Sequence, residues 1–216
     1  MHLEIFSDTI CPWCYIGKRR LERALRERPM PDLAIRWRAF QLNPGMPSGG
    51  MDRRQYMAAK FGSAERAARL FDTVTRVGAE EGIRFAFDRI GRTPNTMKSH
   101  RLLALAAQHG RQSQVLDRLF AAYFAEGRDI GQSAVLVEIG EDSRLPLAEV
   151  ESALSEDSPI GTSLAEDFLA RRQGINGVPY FVFNGRFGLS GAQEPEALYH
   201  MLDLAREDDA LVLARV

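Results

Sequence analysis

The sequence predicts an α/β protein: a four-stranded mixed sheet with helices on its faces, interrupted by a large all-helical insertion. Three observations carry this reading. Two short strand-like runs, residues 3–6 and 33–40, flank a stretch with one apolar side, which makes a β-α-β unit. From residue 51 the apolar residues recur at helical spacing for more than a hundred positions. At Gly174-Ile175-Asn176-Gly177-Val178-Pro179 the period switches back, and a hairpin and one more helix follow. Residues 1–50 and 171–216 therefore form one discontinuous domain, and residues 51–170 an inserted helical one.

Leu3-Glu4-Ile5-Phe6 alternates and reads as the first strand, and Ser7-Asp8-Thr9 as the turn after it. From Pro12 to about Arg26, Ile16, Leu21, Ala24 and Leu25 give a helix its apolar side, with Lys18, Arg19, Glu22 and Arg23 largely outside. Pro29 and Pro31 stop it. Leu33, Ile35 and Trp37 alternate with Ala34, Arg36 and Arg38 as the second strand. Asn43-Pro44-Gly45 to Gly49-Gly50 is the clearest punctuation.

In the insertion, Tyr56, Ala59 and Lys60 begin one helix, and Ala67, Leu70, Phe71, Val74 and Val77 mark a second, ended by Gly78 or Gly82. Residues 90–95 read as a loop, with Asn95 or Thr96 capping a helix that carries Leu102, Leu103, Ala106 and Ala107. Leu116, Leu119, Phe120, Tyr123 and Phe124 follow the amphipathic pattern closely. Further stripes run through Val135, Leu136 and Ile139, through Val150 and Leu154, and through Leu164, Phe168 and Leu169. They read as helix-bundle core. Tyr180-Phe181-Val182-Phe183, Asn184-Gly185 and Arg186-Phe187-Gly188-Leu189 form the hairpin. Glu194-Pro195 starts the last helix, with Leu198, Met201, Leu202 and Ala205 on one face. Glu207-Asp208-Asp209 reads as an acidic break before an apolar tail, Leu211-Val212-Leu213.

With 28 basic and 29 acidic residues the net charge is −1, which gives no reason to expect nucleic acid or membrane as a partner. Arg19-Arg20 and Arg171-Arg172 read as solvated helix faces. Neither a signal-peptide pattern nor a run of transmembrane length is visible, so the expected compartment is the cytoplasm. Persistent disulfides are rare there, and a cysteine pair is more naturally catalytic than structural.

The two cysteines of the chain stand together in Cys11-Pro12-Trp13-Cys14. Pro12 suits a first helical position, where its missing N–H is not needed. Cys11 then stands at a helix N-terminus, where free N–H groups and the dipole favour an anion such as a thiolate. Cys14 lies one turn on, within reach of Cys11. Strand, C-x-x-C, helix is a redox signal. The other readings are half of a zinc site and two inert core thiols. His2, His100, His109 and His200 are scattered and offer no metal-binding pair, so no metal is expected.

This layout and motif resemble the DsbA-like family of thioredoxin-fold oxidoreductases, and within it the cytosolic FrnE-like branch. The resemblance is carried by Phe6-Ser7-Asp8, by Cys11-Pro12-Trp13-Cys14-Tyr15-Ile16-Gly17-Lys18 and by Phe40-Gln41-Leu42-Asn43-Pro44. Gly177-Val178-Pro179-Tyr180-Phe181 and Ser190-Gly191-Ala192-Gln193 complete it, while the helical middle is similar by layout alone. It implies a thioredoxin-like fold with Cys11 as exposed nucleophile and Cys14 as resolving thiol, exchanging disulfides through a mixed-disulfide intermediate. It also implies a cis Val178–Pro179 bond facing the dithiol, beside which the backbone pairs with substrate as an added strand. The residues themselves leave a trans Pro179 at an edge strand as the alternative. Pro12, Trp13, Val178 and Pro179 are then the substrate-binding set.

Trp13 departs from periplasmic DsbA, where a histidine helps stabilise the thiolate, so a less oxidising pair is expected. Trp13 offers either an apolar contact for substrate or helix-start packing. Asp8 reads as an Asx turn or helix cap, with acceptance of the Cys14 proton as the other role. Lys18 shares a helix face with Cys14 and reads as a salt-bridged or solvated amine. His100 reads as a lone packing or solvent-facing residue.

The expected partner is a protein or small-molecule disulfide or dithiol, acting on a monomer or homodimer. No bound cofactor is expected, with glutathione open as reductant or co-substrate. Two rivals remain. One is a glutathione-dependent isomerase or transferase resembling 2-hydroxychromene-2-carboxylate isomerase or kappa-class glutathione transferase, against which Cys14 argues. The other is a binding or chaperone scaffold with an idle dithiol.

Overall fold

In a computed structural model the chain is described over residues 1–62, 64–155, 158 and 162–213. The N-terminal part gives β1 (His2–Ser7), α1 (Pro12–Glu27) and β2 (Ala34–Ala39). The insertion holds β3 (Met51–Asp52), α2 (Arg53–Phe61), α3 (Ala64–Glu80) and β4 (Arg92–Thr93). It continues with α4 (Met97–Gln108), α5 (Gln112–Phe120), α6 (Ser133–Asp142), α7 (Leu147–Leu154) and α8 (Thr162–Arg172). The chain then returns to β5 (Tyr180–Phe183), β6 (Phe187–Ser190) and α9 (Pro195–Leu213). Four strands form one mixed sheet in the order β2-β1-β5-β6, with β1 parallel to β2 and both other pairs antiparallel. This is the thioredoxin-like sheet with its helical insertion.

The hairpin turns where Asn184 and Gly185 both take positive φ, which glycine and asparagine tolerate best. Inside the insertion, the side chains at Leu116, Leu119, Phe120, Tyr123 and Phe124 are buried, as their spacing predicts. The last two sit in a π-helical turn, Ala121–Ala125, at the end of α5. One continuous apolar core joins Leu3, Ile5 and Ile16 of the sheet layer to Leu102, Leu116 and Phe120 of the insertion.

β2 is an edge strand, and alternate N–H groups of an edge must find partners outside the sheet. Those of Ala34 and Phe40 turn inward, to the carbonyls of Met1 and Ser7. The outward ones are met by side chains of the insertion. Gln112 accepts from Trp37 N at 2.9 Å and donates to Trp37 O at 2.8 Å, as a neighbouring strand would. Glu166 accepts from Ala39 N at 2.8 Å, and Asp167 from Gln41 N at 2.9 Å.

This clamp explains one departure from the sequence reading. On α8, Phe168 and Leu169 are exposed, and the face toward the sheet carries Glu166, Asp167 and Ala170 instead. The helix docks through carboxylates on backbone N–H groups, so its apolar stripe does not mark its buried side. The side chain of Leu164 lies outside the described residues.

Other differences have local causes. Residues 92–93 pair with residues 51–52 as β4 and β3, a ladder too short to show alternation. Ile35 and Leu70 are exposed. Lys18 and Arg20 of α1 are buried, because Lys18 meets Glu22 and Asp117 while Arg20 meets Glu81 and Glu194. Glu207-Asp208-Asp209 does not break α9. Asp209 accepts from Asn184 Nδ2 at 3.0 Å and Asp208 pairs with Arg186, so the acidic run is compensated by the hairpin. The apolar tail from Leu211 onward lies outside the described side chains.

Replacing Gln112 with Ala strips both Trp37 main-chain groups of their partners. The expected loss is about 1–3 kcal/mol, the cost of unsatisfied buried polar groups. Urea unfolding will show it as a lower midpoint at unchanged slope. A midpoint equal to that of Gln114→Ala would refute the clamp.

Candidate functional site

The site is built at the N-terminus of α1, where β1 delivers the chain to the centre of the sheet. Cys11 is the N-cap residue and Pro12 the first helical residue, as the sequence predicts. The turn is closed by Cys11 N donating to Asp8 O at 3.0 Å. Cys11 carbonyl then accepts from Cys14 N at 3.1 Å. The helix dipole and its free N–H groups therefore point at the first sulfur.

Both cysteines are free thiols. Cys11 is only 3% exposed and Cys14 not at all. Cys11 is thus a covered sulfur and not the exposed one the sequence reading anticipates. Its Sγ lies 3.5 Å from the Val178 carbonyl, to which it donates. Burial pushes the Cys14 thiol well above its ordinary value, and the hydrogen bond and charge of Cys11 push it the same way. The Ser7 hydroxyl and the Asp8 main chain oppose this without reversing it.

The Val178–Pro179 bond is cis, and Pro179 is buried beneath Val178, which stays half-buried. What lets this loop approach the helix is Gly17. A Cβ there would stand 3.0 Å from Pro179 Cγ and 3.4 Å from the Phe181 ring. The signal for Gly17 is present in the sequence as a glycine within a helical pattern, which commonly marks a close approach. Pro12 and Trp13 are half-buried, and Trp13 packs against the core while keeping part of its surface open.

Asp8 is wholly buried, and its carboxylate makes neither an Asx turn nor a helix cap. Oδ2 accepts from Leu42 N at 2.7 Å, tying the turn before the motif to the segment after β2. Oδ1 faces His100 Nε2 at 3.4 Å. His100, set aside in the sequence reading, is 3% exposed and comes from α4. Its neighbourhood is polar: Ser99 Oγ donates to Thr96 O at 2.8 Å and lies 2.7 Å from Thr9 Oγ1. Sequence spacing gave no signal for this pair, because about ninety residues separate its members.

Lys18 is buried and held by Asp117 at 2.7 Å and by Glu22, so it serves the α1–α5 contact and not the sulfurs. Among the described residues no group of three or more His, Cys, Asp or Glu side chains is placed to hold a metal ion. Nor is any described helix long and apolar enough to cross a membrane. The arrangement presents two thiols of unequal setting. One lies at a helix N-terminus beside a backbone carbonyl, and the other is enclosed behind it.

Among known families, the DSBA-like thioredoxin domain matches residues 2–203. The chain is similar to a probable DsbA oxidoreductase from Streptomyces coelicolor, with 32% identity, a TM-score of 0.86, and 96% of this chain and 90% of that one covered. It superposes on a 2-hydroxychromene-2-carboxylate isomerase at 18% identity and a TM-score of 0.73, covering 98% and 99% of the two chains. The cytosolic disulfide reductase DsbM from Pseudomonas aeruginosa, solved with GSH, is 23% identical with a TM-score of 0.63 and the same coverage. The last two likenesses show a shared fold.

The raised Cys14 value has a consequence for stability. In the unfolded chain this thiol ionises near its ordinary value, while in the fold it keeps its proton to higher pH. The reduced protein therefore binds more protons folded than unfolded. Its stability is full below the unfolded value and falls as pH rises toward the folded one. Denaturation of the reduced protein between pH 7 and 9.5 should show this slope, and Cys14→Ala should flatten it. Above that window Tyr123, pushed up to about 12 by burial, adds a loss of the same sign. Equal slopes for parent and variant below pH 9.5 would refute the assignment.

Proposed function

The chain belongs to the DSBA-like thioredoxin domain family, and we propose that it is a thiol–disulfide oxidoreductase working through Cys11 and Cys14. The observation that carries this reading is the second sulfur: Cys14 is enclosed directly against Cys11, where its one accessible reaction is with that neighbour.

In the reducing direction, the Cys11 thiol gives up its proton to solvent and leaves the Val178 carbonyl, and the resulting thiolate attacks one sulfur of a substrate disulfide. That S–S bond breaks, the departing sulfur leaves as thiolate, and a mixed disulfide on Cys11 remains. Cys14, losing its proton, attacks Cys11 Sγ and expels the second substrate sulfur. The substrate disulfide is reduced and the enzyme dithiol oxidised by two electrons. The same steps in reverse oxidise a dithiol. The high thiol value of Cys14 keeps it protonated, and so idle, until the mixed disulfide forms beside it.

Pro12, Trp13 and Val178 are half-buried and supply the surface a substrate meets around Cys11. Val178 offers main chain to an extended substrate, while buried Pro179 fixes its position against Gly17. A cytoplasmic setting, with glutathione as reductant or co-substrate, fits the uncharged Trp13 and the DsbM likeness. The glutathione-dependent isomerase is the second reading, kept because its fold superposes along almost the whole chain.

Equilibration in glutathione buffers, followed by Trp fluorescence and thiol alkylation, should give one reversible two-electron transition. Cys11→Ser should lower exchange to background, and Cys14→Ser should accumulate a stable mixed disulfide. Thiols that never pair, with glutathione addition surviving in Cys14→Ser, would overturn the reading in favour of the isomerase.

A further inference from the structure

The Ser190-Gly191-Ala192-Gln193 segment takes no part in the exchange chemistry above, yet α1 grips it at two points on one face. Gly17 is the first: a Cβ there would stand 3.0 Å from Pro179 Cγ and 3.6 Å from Ala192 Cβ. Arg20, one turn on, is the second, and its Nη1 donates to the Ala192 carbonyl at 2.6 Å. The next link is main chain. Gly191 N donates to Pro179 O at 2.8 Å, and Gly191 holds a positive φ of 83° that a side chain would strain. On the other side of the cis bond, Val178 O accepts from Cys11 Sγ. A path of hydrogen bonds and short covalent steps thus runs from the Arg20 guanidinium to the carbonyl over the first sulfur.

The charge of Arg20 alone does not call for this arrangement. A buried cation needs carboxylates, and Arg20 has two. Nε meets Glu81 at 3.0 Å and Nη2 meets Glu194 at 2.5 Å. Arg23 shares both carboxylates, at 2.7 and 3.7 Å. Among the described hydrogen bonds, however, it is Arg20 and not Arg23 that meets Ala192 O. Glu81 is buried and follows α3 in the insertion, while Glu194 is exposed and precedes α9. The donors of Arg20 therefore join three places: the insertion, the start of α9 and the loop. The planar fork of a guanidinium can do this, and the single nitrogen of an ammonium cannot.

We propose that Arg20 is a positioning residue: it sets the Val178–Pro179 main chain over Cys11, and so favours disulfides carried on an extended peptide. The proposal rests on the dithiol reading above. Arg20 does not touch the reacting atoms. It acts through Ala192, Gly191 and Pro179 on the main chain with which an extended substrate pairs. A disulfide without peptide main chain gains nothing from that pairing, so the two kinds of substrate separate positioning from general support of the fold.

The test compares two substrates of the reduced protein: a linear peptide dimerised through its single cysteine, and hydroxyethyl disulfide. Arg20→Lys keeps a charge between Glu81 and Glu194 but gives up the fork. Its kcat/KM for the peptide disulfide should fall by about 10- to 100-fold, mainly through KM, the cost of a small misplacement at a substrate-positioning group. The rate with hydroxyethyl disulfide should stay at the parent value. The Gly191 amide should exchange its hydrogen faster, while the amides of Ile5 and Phe181 in the central strands keep their protection. Arg23→Met removes a cation from the same two carboxylates and leaves Ala192 O its donor, so it should keep the parent's preference between the substrates. Glu194→Gln alters an exposed partner that the fold can spare. It should show the same selective loss to a smaller degree, and it carries the test where Arg20→Lys does not fold. Equal losses on both substrates, an unchanged rate with the peptide, or the same loss of preference in Arg23→Met overturns the proposal. A parent that exchanges with neither disulfide sinks the dithiol reading instead.

Discussion

The outward backbone of β2 is the constraint on which the rest of the structure depends. A parallel edge strand beside the turn that carries Cys11 must bond its N–H groups to something, and here the partners are side chains of Gln112, Glu166 and Asp167. The insertion is fastened to the sheet by polar contacts that have a direction, not by apolar contact alone. Arg171 then donates to Gln41 O at 2.6 Å and stacks over Phe40 at 4.4 Å. Asp8 takes the next N–H, that of Leu42. The segment after β2 is thereby held between α8 on one side and the turn before Cys11 on the other.

The same logic governs the buried charges. Lys18 and Arg20 stand on the buried face of α1, where unpaired cations would be costly. Each has carboxylates from elsewhere in the chain: Asp117 from α5, Glu81 from beyond α3, Glu194 from before α9. Breaking one such pair leaves the other charge stranded, so these contacts secure the position of α1 more than they add net stability. The N-terminus of that helix, and the sulfur it presents, inherit the placement.

What was legible in the sequence was local. The strand, dithiol and helix, the hairpin at Asn184-Gly185 and the return to the sheet at Val178-Pro179 each carry their signal in a few neighbouring residues. The amphipathic run from Leu116 to Phe124 was readable for the same reason, even where the helix widens to a π turn. Phe168 and Leu169 misled because α8 buries its carboxylates. Asp208 and Asp209 misled because Asn184 and Arg186 compensate them from across the hairpin. The Asp8–His100 contact could not be read at all. It depends on where α4 is set by the clamp on β2, and no spacing in the sequence encodes that.

The asymmetry between the two sulfurs follows from these placements. Gly17 brings the Pro179 loop onto α1, and the loop sets the Val178 carbonyl over Cys11. One helical turn deeper, Cys14 is buried in the core cluster that also holds Ile5, Ile16 and Phe181, and Cys11, Ser7 and Asp8 act on its thiol. A thiol in that position resists ionisation because no solvent reaches its charge. It is protected from outside reagents for the same reason.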